Sequence, residues 1–135
     1  MNWMSEREFV IVWAIPAFGD MDAWLMVRHV ERGWELPGGA IRKGEAVDEA
    51  ALRELFEETG KLGIAKAIDN DLIDGGSVVF VEVQTEAIPD PWESNDPSIG
   101  EVGWCLVPPE ETTWGAEEIE RLRSHDWSAS ISLGS

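Results

Sequence analysis

The sequence is short and strongly acidic: 135 residues include 27 Asp and Glu against 10 Lys and Arg, a net charge of −17. A field of that sign repels phosphate groups, which argues against a duplex nucleic-acid partner. No apolar run approaches the ~20 residues of a membrane span, and the first residues lack a signal peptide's basic start and apolar centre. Cys105 is the only cysteine, so no internal disulfide is possible. We therefore expect one cytoplasmic domain over residues 1–135, without a membrane partner.

The acidity itself has two interpretations. Only three of the basic residues are lysines, and abundant Asp and Glu with few lysines resembles proteins from salt-loving cells, in which a hydrated acidic surface maintains solubility. The alternative is an ordinary acidic cytosolic protein with an acidic active site. The two interpretations differ in the response to salt that they predict.

In chain order, apolar periodicity predicts strands mixed with two helices, which is typical of an α/β domain. Residues 8–15 and 24–30 are predicted strands, and a short strand at 34–36 enters a Pro-Gly-Gly turn. The remaining predicted elements are a helix at 46–59, strands at 62–68, 77–87 and 102–107, a polar loop at 89–100 and a second helix at 115–125. The serine-rich end, about 126–135, is predicted to be a loosely held tail.

The helix predicted at 46–59 carries most of the chemical information. It contains no Pro or Gly, it has acidic residues in its first turn, where the helix dipole favours anions, and Gly60 follows it. At roughly 100° per residue, one face carries three carboxylates: Glu54, Glu57 and Glu58. The opposite face carries Leu52, Leu55 and Phe56 and is expected to be buried.

Three carboxylates on one helix face indicate a bound cation. Like charges three and four residues apart repel one another, and a cation would reverse that repulsion. Carboxylate oxygens are hard ligands, which favours Mg²⁺ or Mn²⁺ over zinc. The ordinary alternative is a solvated acidic face. The segment before the helix, residues 34–39, favours the metal site because its Pro-Gly-Gly turn lets backbone approach a ligand closely.

Residues 39–60 also match a known spacing. They consist of Gly39, five residues, Glu45, seven residues, Arg53-Glu54-Leu55, one residue, Glu57-Glu58, one residue and Gly60. This pattern resembles the box of the Nudix hydrolases, metal-dependent enzymes that cleave nucleoside diphosphates linked to a further group. That box ends on an aliphatic residue, whereas this chain has Lys61 there and Leu62 one place later. The resemblance implies an α/β/α sandwich with a central mixed sheet over essentially the whole chain.

The resemblance also implies ligands for Mg²⁺ or Mn²⁺. Glu57 and Glu58 are implied to be the main metal ligands, and the carbonyl oxygen of Gly39 a further one. Glu54 is implied to be either a third ligand or the base that activates water, and both roles stay open, because coupled carboxylates titrate as a group.

Two further residues of the box complete the implied catalytic set with Glu54. Arg53 is implied to hold a glutamate in place by a charge-assisted pair, and the alternative is a helix-surface pair with Glu49 or Glu57. Glu45 precedes the helix and is implied to organise the loop and the outer ligands.

An additional acid from the loop before the last strand is common in the family that this chain resembles. Glu101 is the first candidate for that metal ligand, and Glu93 and Asp96 are its rivals. The ordinary alternative for each of them is an exposed loop acid.

Candidate substrate-binding residues lie outside the box. Arg28 could reach a phosphate, or it could be a strand-surface arginine. Trp34, together with Trp92 and Trp104, lies near the expected site loops, where an indole could stack on a base. Most of the eight tryptophans are expected in the core or an interface.

The resemblance implies hydrolysis of a nucleoside triphosphate, oxidised ones included, to the monophosphate and pyrophosphate, because the chain is as compact as that branch of the family. The alternatives are an ADP-ribose or dinucleoside polyphosphate pyrophosphatase, and a nucleotide-sensing module that binds without turnover. The intact carboxylates argue against the sensor. The expected partner is a nucleotide, and a homodimer is left open.

Overall fold

Two β-sheets lie between two helices in the part of the chain that the structure describes. The computed structural model describes residues 8–112 and 115–133. The helices are α1 (Val47–Thr59), α2 (Ala116–Arg123) and a short 3₁₀ helix (Trp127–Ala129). The strands are β1 (Phe9–Phe18), β2 (Trp24–His29), β3 (Gly33–Glu35), β4 (Gly38–Ala40), β5 (Gly63–Asp69), β6 (Gly76–Glu86), β7 (Ile99–Cys105) and β8 (Ile131–Ser132). None of the described helices combines the length and the apolar character that crossing a bilayer requires.

The larger sheet is mixed. Its strand order is β4-β1-β6-β5-β8, and the smaller sheet has the order β3-β2-β7. β1 and β6 run parallel, whereas β1 with β4 and β5 with β6 run antiparallel. The predicted α/β class, with a mixed sheet and two helices, is confirmed.

Each helix covers its own apolar cluster, because successive side chains of a strand point to opposite faces. In β1, Val10 and Val12 join the cluster beneath α1, whereas Trp13 joins the cluster beneath α2. Leu55 of α1 and Leu122 of α2 are fully or almost fully buried in these two clusters. Burying each such side chain contributes about 1.5–3 kcal/mol, so the two helices are held on opposite faces by the alternation within the strands.

The Pro-Gly-Gly segment differs from its prediction as a turn. Residues Gly38–Ala40 form strand β4, which pairs antiparallel with β1 in the register Val10↔Gly39. A Cβ atom at Gly38 would overlap the Val10 carbonyl. The glycine therefore brings β4 against β1 and fixes the strand directly ahead of α1.

The end of the chain differs from the loosely held tail predicted from about residue 126. Asp126 caps the 3₁₀ helix by accepting the Ser128 N–H at 3.0 Å, and β8 pairs with β5 in the register Ile68↔Ile131. Trp127 stacks on Phe80, with the two ring centroids 5.4 Å apart. Serine composition suggested a tail, but local capping and one apolar ring fix this segment up to residue 133.

Candidate active site

Helix α1 is fixed at both ends by local hydrogen bonds. At the start, the Glu49 carboxylate accepts the Ala46 N–H at 2.9 Å, and the end is Gly60, whose φ of 76° is the left-handed value that glycine adopts readily. Leu55 is fully buried, as expected, but Phe56 is 53% exposed. One residue turns an α-helix by roughly 100°, so Phe56 leaves the buried stripe. Phe56 was wrongly expected on the buried face.

Two of the predicted carboxylates meet beside the glycines of β4. Glu58 is only 9% exposed and accepts the Gly38 N–H at 3.2 Å. A Cβ atom at Gly39 would lie 2.5 Å from Oε2 of Glu54, so Gly39 leaves room for that carboxylate. These acids were expected to point outward from the helix; instead they are enclosed between α1 and β4.

The enclosure changes the ionisation of Glu58. Burial and, after it, the hydrogen bond with the Glu54 side chain raise the pKa of Glu58 to about 9, against the opposing effect of the Gly38 N–H. The negative charges of Glu54 and Asp96 act in the same direction as burial. Glu58 is therefore held in its protonated form beside Glu54 when no cation is present.

Arg53 connects the helix with the loop that precedes it. Its guanidinium donates to both oxygens of Glu45, at 2.7 and 2.9 Å, and to Glu54 at 2.6 Å. It also donates to Glu57 at 3.1 Å and to the Ala40 carbonyl at 3.1 Å. The hydrogen bond from Arg53 lowers the pKa of Glu45 to about 2, and the Arg42 N–H adds to that effect. Arg53 thus makes both kinds of contact that the sequence suggested: the helix-surface pair with Glu57, and a closer charge-assisted pair with Glu45.

Glu57 stands apart from the acid pair. Its side chain is 45% exposed and contacts Arg53 and, at 3.7 Å, Arg42. Among residues 8–112 and 115–133, no three acidic, histidine or cysteine side chains already converge in a metal-binding group. The donors nevertheless fit a hard divalent cation, because a cation can replace the proton of Glu58 beside Glu54 and the space left by Gly39. Glu57 would have to leave Arg42 and turn towards them.

A loop acid lies close enough to act on the same pair electrostatically. Within the segment between Trp92 and β7, Asp96 contributes its negative charge to the raised pKa of Glu58, after burial and Glu54. Between this loop and α1 lies a cavity of about 370 Å³ lined by Phe56, Glu57, Asn95 and Asp96. Asp96, a rival in the sequence prediction, therefore acts on Glu58 electrostatically, whereas the first candidate, Glu101, contacts Arg28.

Comparison with known proteins decides the family. A model of the NUDIX domain matches residues 8–127, most of the chain. The chain belongs to the Nudix family. A relative named as a candidate 8-oxo-dGTP diphosphatase, YtkD of Bacillus subtilis (strain 168), is 36% identical over 80 residues, which are 54% of this chain and 49% of the relative. The aligned part thus spans about half the length of that relative.

Two further comparisons are narrower or more distant. An RNA pyrophosphohydrolase of Azorhizobium caulinodans is 50% identical over 40 residues, 28% of this chain and 24% of the relative. The crystal structure of a NUDIX hydrolase from Nitrosomonas europaea superposes with a TM-score of 0.61 at 16% identity, covering 96% of this chain and 77% of the other. That structural similarity supports the Nudix fold alone.

The departure from the Nudix box at Lys61 has a structural counterpart. The ammonium group of Lys61 lies over the indole of Trp92, 4.8 Å from the ring centroid. Trp92 was one of the tryptophans considered for stacking on a base. Instead, its ring contacts Lys61, and its Nε1–H donates to the Thr59 carbonyl at 2.8 Å.

The predicted residues outside the Nudix box form a separate row on the smaller sheet. Arg28 of β2 is the register partner of Glu101 in β7 and of Trp34 in β3. The adjacent residues Val27 and Val102 belong to the cluster beneath α1, so the row points to the opposite face of the strands. Arg28 donates to Glu101 at 3.3 Å, and Trp34 packs against the cluster beneath α2. The structure does not bring Glu101 to the acid pair.

Sequence reasoning did not identify the cavity residues Phe56 and Asn95. A usable signal was present in the loop, where Ser94, Asp96 and Ser98 alternate as residues that favour hydrogen-bonded turns. The Asp96 carboxylate accepts the backbone N–H of Ser98 at 2.9 Å and its hydroxyl at 2.8 Å. Such a self-bonded loop can hold a wall of a site in a fixed position.

Proposed function

We propose that this Nudix protein is a pyrophosphohydrolase that uses Mg²⁺ or Mn²⁺ to convert a nucleoside triphosphate, oxidised ones included, to the monophosphate and pyrophosphate. The observation that carries the proposal is the enclosed pair of Glu54 and Glu58 beside Gly39, held by Arg53. A carboxyl group that burial keeps protonated beside a second carboxyl group favours a cation strongly. The name of the Bacillus subtilis relative supports an oxidised purine nucleotide as the substrate.

The proposed roles follow from the contacts. Glu58, Glu57 and the Gly39 carbonyl hold the metal, and Asp96 adds negative charge from the loop in place of Glu101. When bound, the metal neutralises phosphate charge and lowers the pKa of a water molecule. Glu54 is a further ligand or accepts the proton of the attacking water, which displaces the leaving group at phosphorus. Arg53 and Glu45 keep Glu54 in position, as the hydrogen bonds of 2.6–2.9 Å indicate.

Substrate contacts outside the box are also proposed. Arg28 lines a cavity of about 320 Å³ on the smaller sheet, and its side chain is 37% exposed. An arginine with one weak partner is free to exchange it for a phosphate oxygen. Trp34 is packed against the core, so we propose that it shapes this wall and does not stack on a base.

A panel assay tests the function. Pyrophosphate and phosphate release are measured for nucleoside triphosphates, their 8-oxo forms, ADP-ribose and a dinucleoside polyphosphate, with Mg²⁺, with Mn²⁺ and with a chelator. We expect metal-dependent pyrophosphate release that is fastest with a triphosphate. Glu49→Gln is the matched control, because Gln can still cap α1 and the site carboxylates stay unchanged.

Two results would contradict the proposal. Release of nucleoside monophosphates from ADP-ribose or the dinucleotide, without turnover of any triphosphate, would assign the other substrate class. Calorimetric binding of nucleotides without hydrolysis under every metal condition would assign the non-catalytic sensor.

A further inference from the structure

Trp92 joins β7 to α1 beside the candidate active site. Its backbone pairs with Val102 of β7 through hydrogen bonds of 3.0 and 2.8 Å. Its indole Nε1–H donates to the Thr59 carbonyl at 2.8 Å. The last carbonyls of an α-helix have no partner within the helix. Trp92 therefore caps α1 and attaches it to the edge of β7.

Lys61 holds the same indole from above. Its ammonium group lies 4.8 Å from the ring centroid, and its backbone N–H donates to the Thr59 hydroxyl at 3.0 Å. A cation is also favourable beside the C-terminus of a helix. The lysine at the aliphatic position of the Nudix box thus replaces apolar packing by a cation–π contact.

The loop that follows Trp92 is fixed at its other end and along its length. Ile99 at the start of β7 donates to the Asp96 carbonyl at 2.9 Å, and the Asp96 N–H donates to the Ser94 hydroxyl at 3.0 Å. With these bonds made, the position of Asp96 relative to α1 depends on where Trp92 anchors the loop. That anchor is the Lys61–Trp92–Thr59 arrangement, here called the Trp92 brace.

We propose that the Trp92 brace is a positioning device: Lys61 and Trp92 set the distance between α1 and the 93–98 loop, and so keep Asp96 on the cavity that it shares with Glu57, beside the metal site. The proposal rests on the proposed function, since it acts through the metal site. On this proposal, the lysine at the aliphatic position of the Nudix box has a positioning role in metal binding. Loosening the brace would move negative charge away from the site and weaken cation binding without altering any ligand.

The test measures the Mn²⁺ dissociation constant of the whole protein by electron paramagnetic resonance of free Mn²⁺, without a nucleotide. Lys61→Ile restores the family's aliphatic type and removes the contact; we expect roughly two- to five-fold weaker binding, as for a partly exposed cation–π contact. Trp92→Phe keeps a ring but loses the Nε1 donor, and we expect a loss of roughly five-fold. Lys61→Arg keeps a cation over the ring and should stay within about two-fold of the wild type.

The sign of the change separates positioning from simple charge. Removing a positive charge near carboxylates by itself tightens cation binding, so Lys66→Ile, five residues further along, serves as the charge-matched control and should bind Mn²⁺ equally or more tightly. Hydrogen exchange of the Asp96 and Ser98 amides should accelerate in Lys61→Ile and Trp92→Phe but not in Lys66→Ile. Faster exchange combined with weaker Mn²⁺ binding supports the brace.

Other outcomes overturn it. If both brace variants bind Mn²⁺ like the wild type, the positioning role is wrong even when their melting temperatures fall, because a merely structural contact predicts that result. Tighter Mn²⁺ binding by Lys61→Ile would mean that Lys61 affects the site only through its charge. If the wild type itself binds no Mn²⁺, the metal-dependent function fails and the positioning role fails with it, a result distinct from a change confined to the variants.

Discussion

Two glutamates on either side of Arg53 and Glu54 have opposite environments. Glu45, in the loop before α1, accepts two hydrogen bonds from Arg53, which lowers its pKa to about 2. Glu58, on the β4 side, is buried and accepts the Gly38 N–H, and burial is the main cause that raises its pKa to about 9. One acid is stabilised as an anion and the other as the neutral form.

The two environments distinguish an acid suited to organising the site, Glu45, from an acid suited to binding a cation, Glu58. A carboxylate whose charge is already satisfied by a bidentate arginine gains little from a metal. A carboxyl group that is kept neutral by burial gains most when a cation replaces its proton. Divergent environments of like groups are a general guide to roles in active sites. The predictions below test this division between Glu45 and Glu58.

The largest effect is expected for Glu58→Gln. Gln keeps the size and a hydrogen bond to Gly38 but cannot carry the charge that a metal requires, so kcat should fall at least ~10²-fold. The metal-free protein should be as stable as the wild type or more so, because Glu58 is neutral there already. Turnover near the wild-type rate at saturating Mg²⁺, measured by pyrophosphate release, would remove Glu58 from the metal site.

Arg53→Lys should have the next largest effect. Lysine is a single point donor and cannot bridge Glu45, Glu54 and the Ala40 carbonyl together, so Glu54 loses its fixed position. Residues that orient metal ligands typically cost about 10–100-fold in activity or metal affinity when changed. Arg28→Lys is the matched control on the smaller sheet; with one contact at 3.3 Å, it should alter KM more than kcat. Equal losses of kcat in both variants would contradict the organising role of Arg53.

The pH dependence of stability should have opposite signs for the two glutamates. Glu58 has a folded pKa above its ordinary value of 4.5, so its contribution is present below that value and is lost as pH rises towards about 9. Glu45 has a folded pKa of about 2 against an ordinary 4.5, so its contribution is present above 4.5 and is lost as pH falls towards 2. The metal-free protein should therefore be stabilised most near pH 5 by this pair of groups.

Melting temperatures measured against pH in the presence of a chelator test both the acid-side and the alkaline-side loss of stability. Relative to the wild type, Glu58→Gln should lose the decline in melting temperature between about pH 5 and 9, and Glu45→Gln should lose the decline below about pH 4.5. Parallel pH profiles for the wild type and Glu58→Gln would show that Glu58 does not hold a proton in the folded protein.

The helix and its acidic residues were predictable from local propensity and periodicity, whereas the mixed sheet was implied by the resemblance of residues 39–60 to the Nudix box. The sequence did not predict the difference between Glu45 and Glu58. Glu45 lies eight residues before Arg53, and its contact depends on how the 41–46 loop turns back onto the helix. Glu58 is neutral because strand β4 covers it, and that pairing of Gly39 with Val10 joins segments about 29 positions apart.

Contacts of long range in sequence account for the other differences. Trp92 and Thr59 are 33 residues apart, so the helix cap that Trp92 provides has no local signal. Glu101 preceded a predicted strand and was a reasonable acid by position, yet the side-chain alternation of β7 turns it towards Arg28. A one-residue change in register reverses the face of a strand side chain, and sequence alone did not fix that register.

The smallest effect concerns salt and the origin of the acidic surface. If the net charge of −17 is a salt adaptation, KCl should stabilise the protein between 0.01 and 1 M, because the Debye length falls from ~30 to ~3 Å. A gain on the order of 1 kcal/mol would raise the melting temperature by about 3–6 °C.

The Arg53–Glu45 contacts, at 2.7 and 2.9 Å, are no longer than the Debye length of ~3 Å at 1 M salt. The lower melting temperature of Glu45→Gln should therefore persist at 1 M KCl, while the general repulsion disappears. A wild type that is most stable in dilute buffer and loses stability steadily as KCl is added would exclude salt adaptation and leave ordinary acidity. If the melting temperature of Glu45→Gln equalled that of the wild type at 1 M KCl, Glu45 would belong to the screened surface charges.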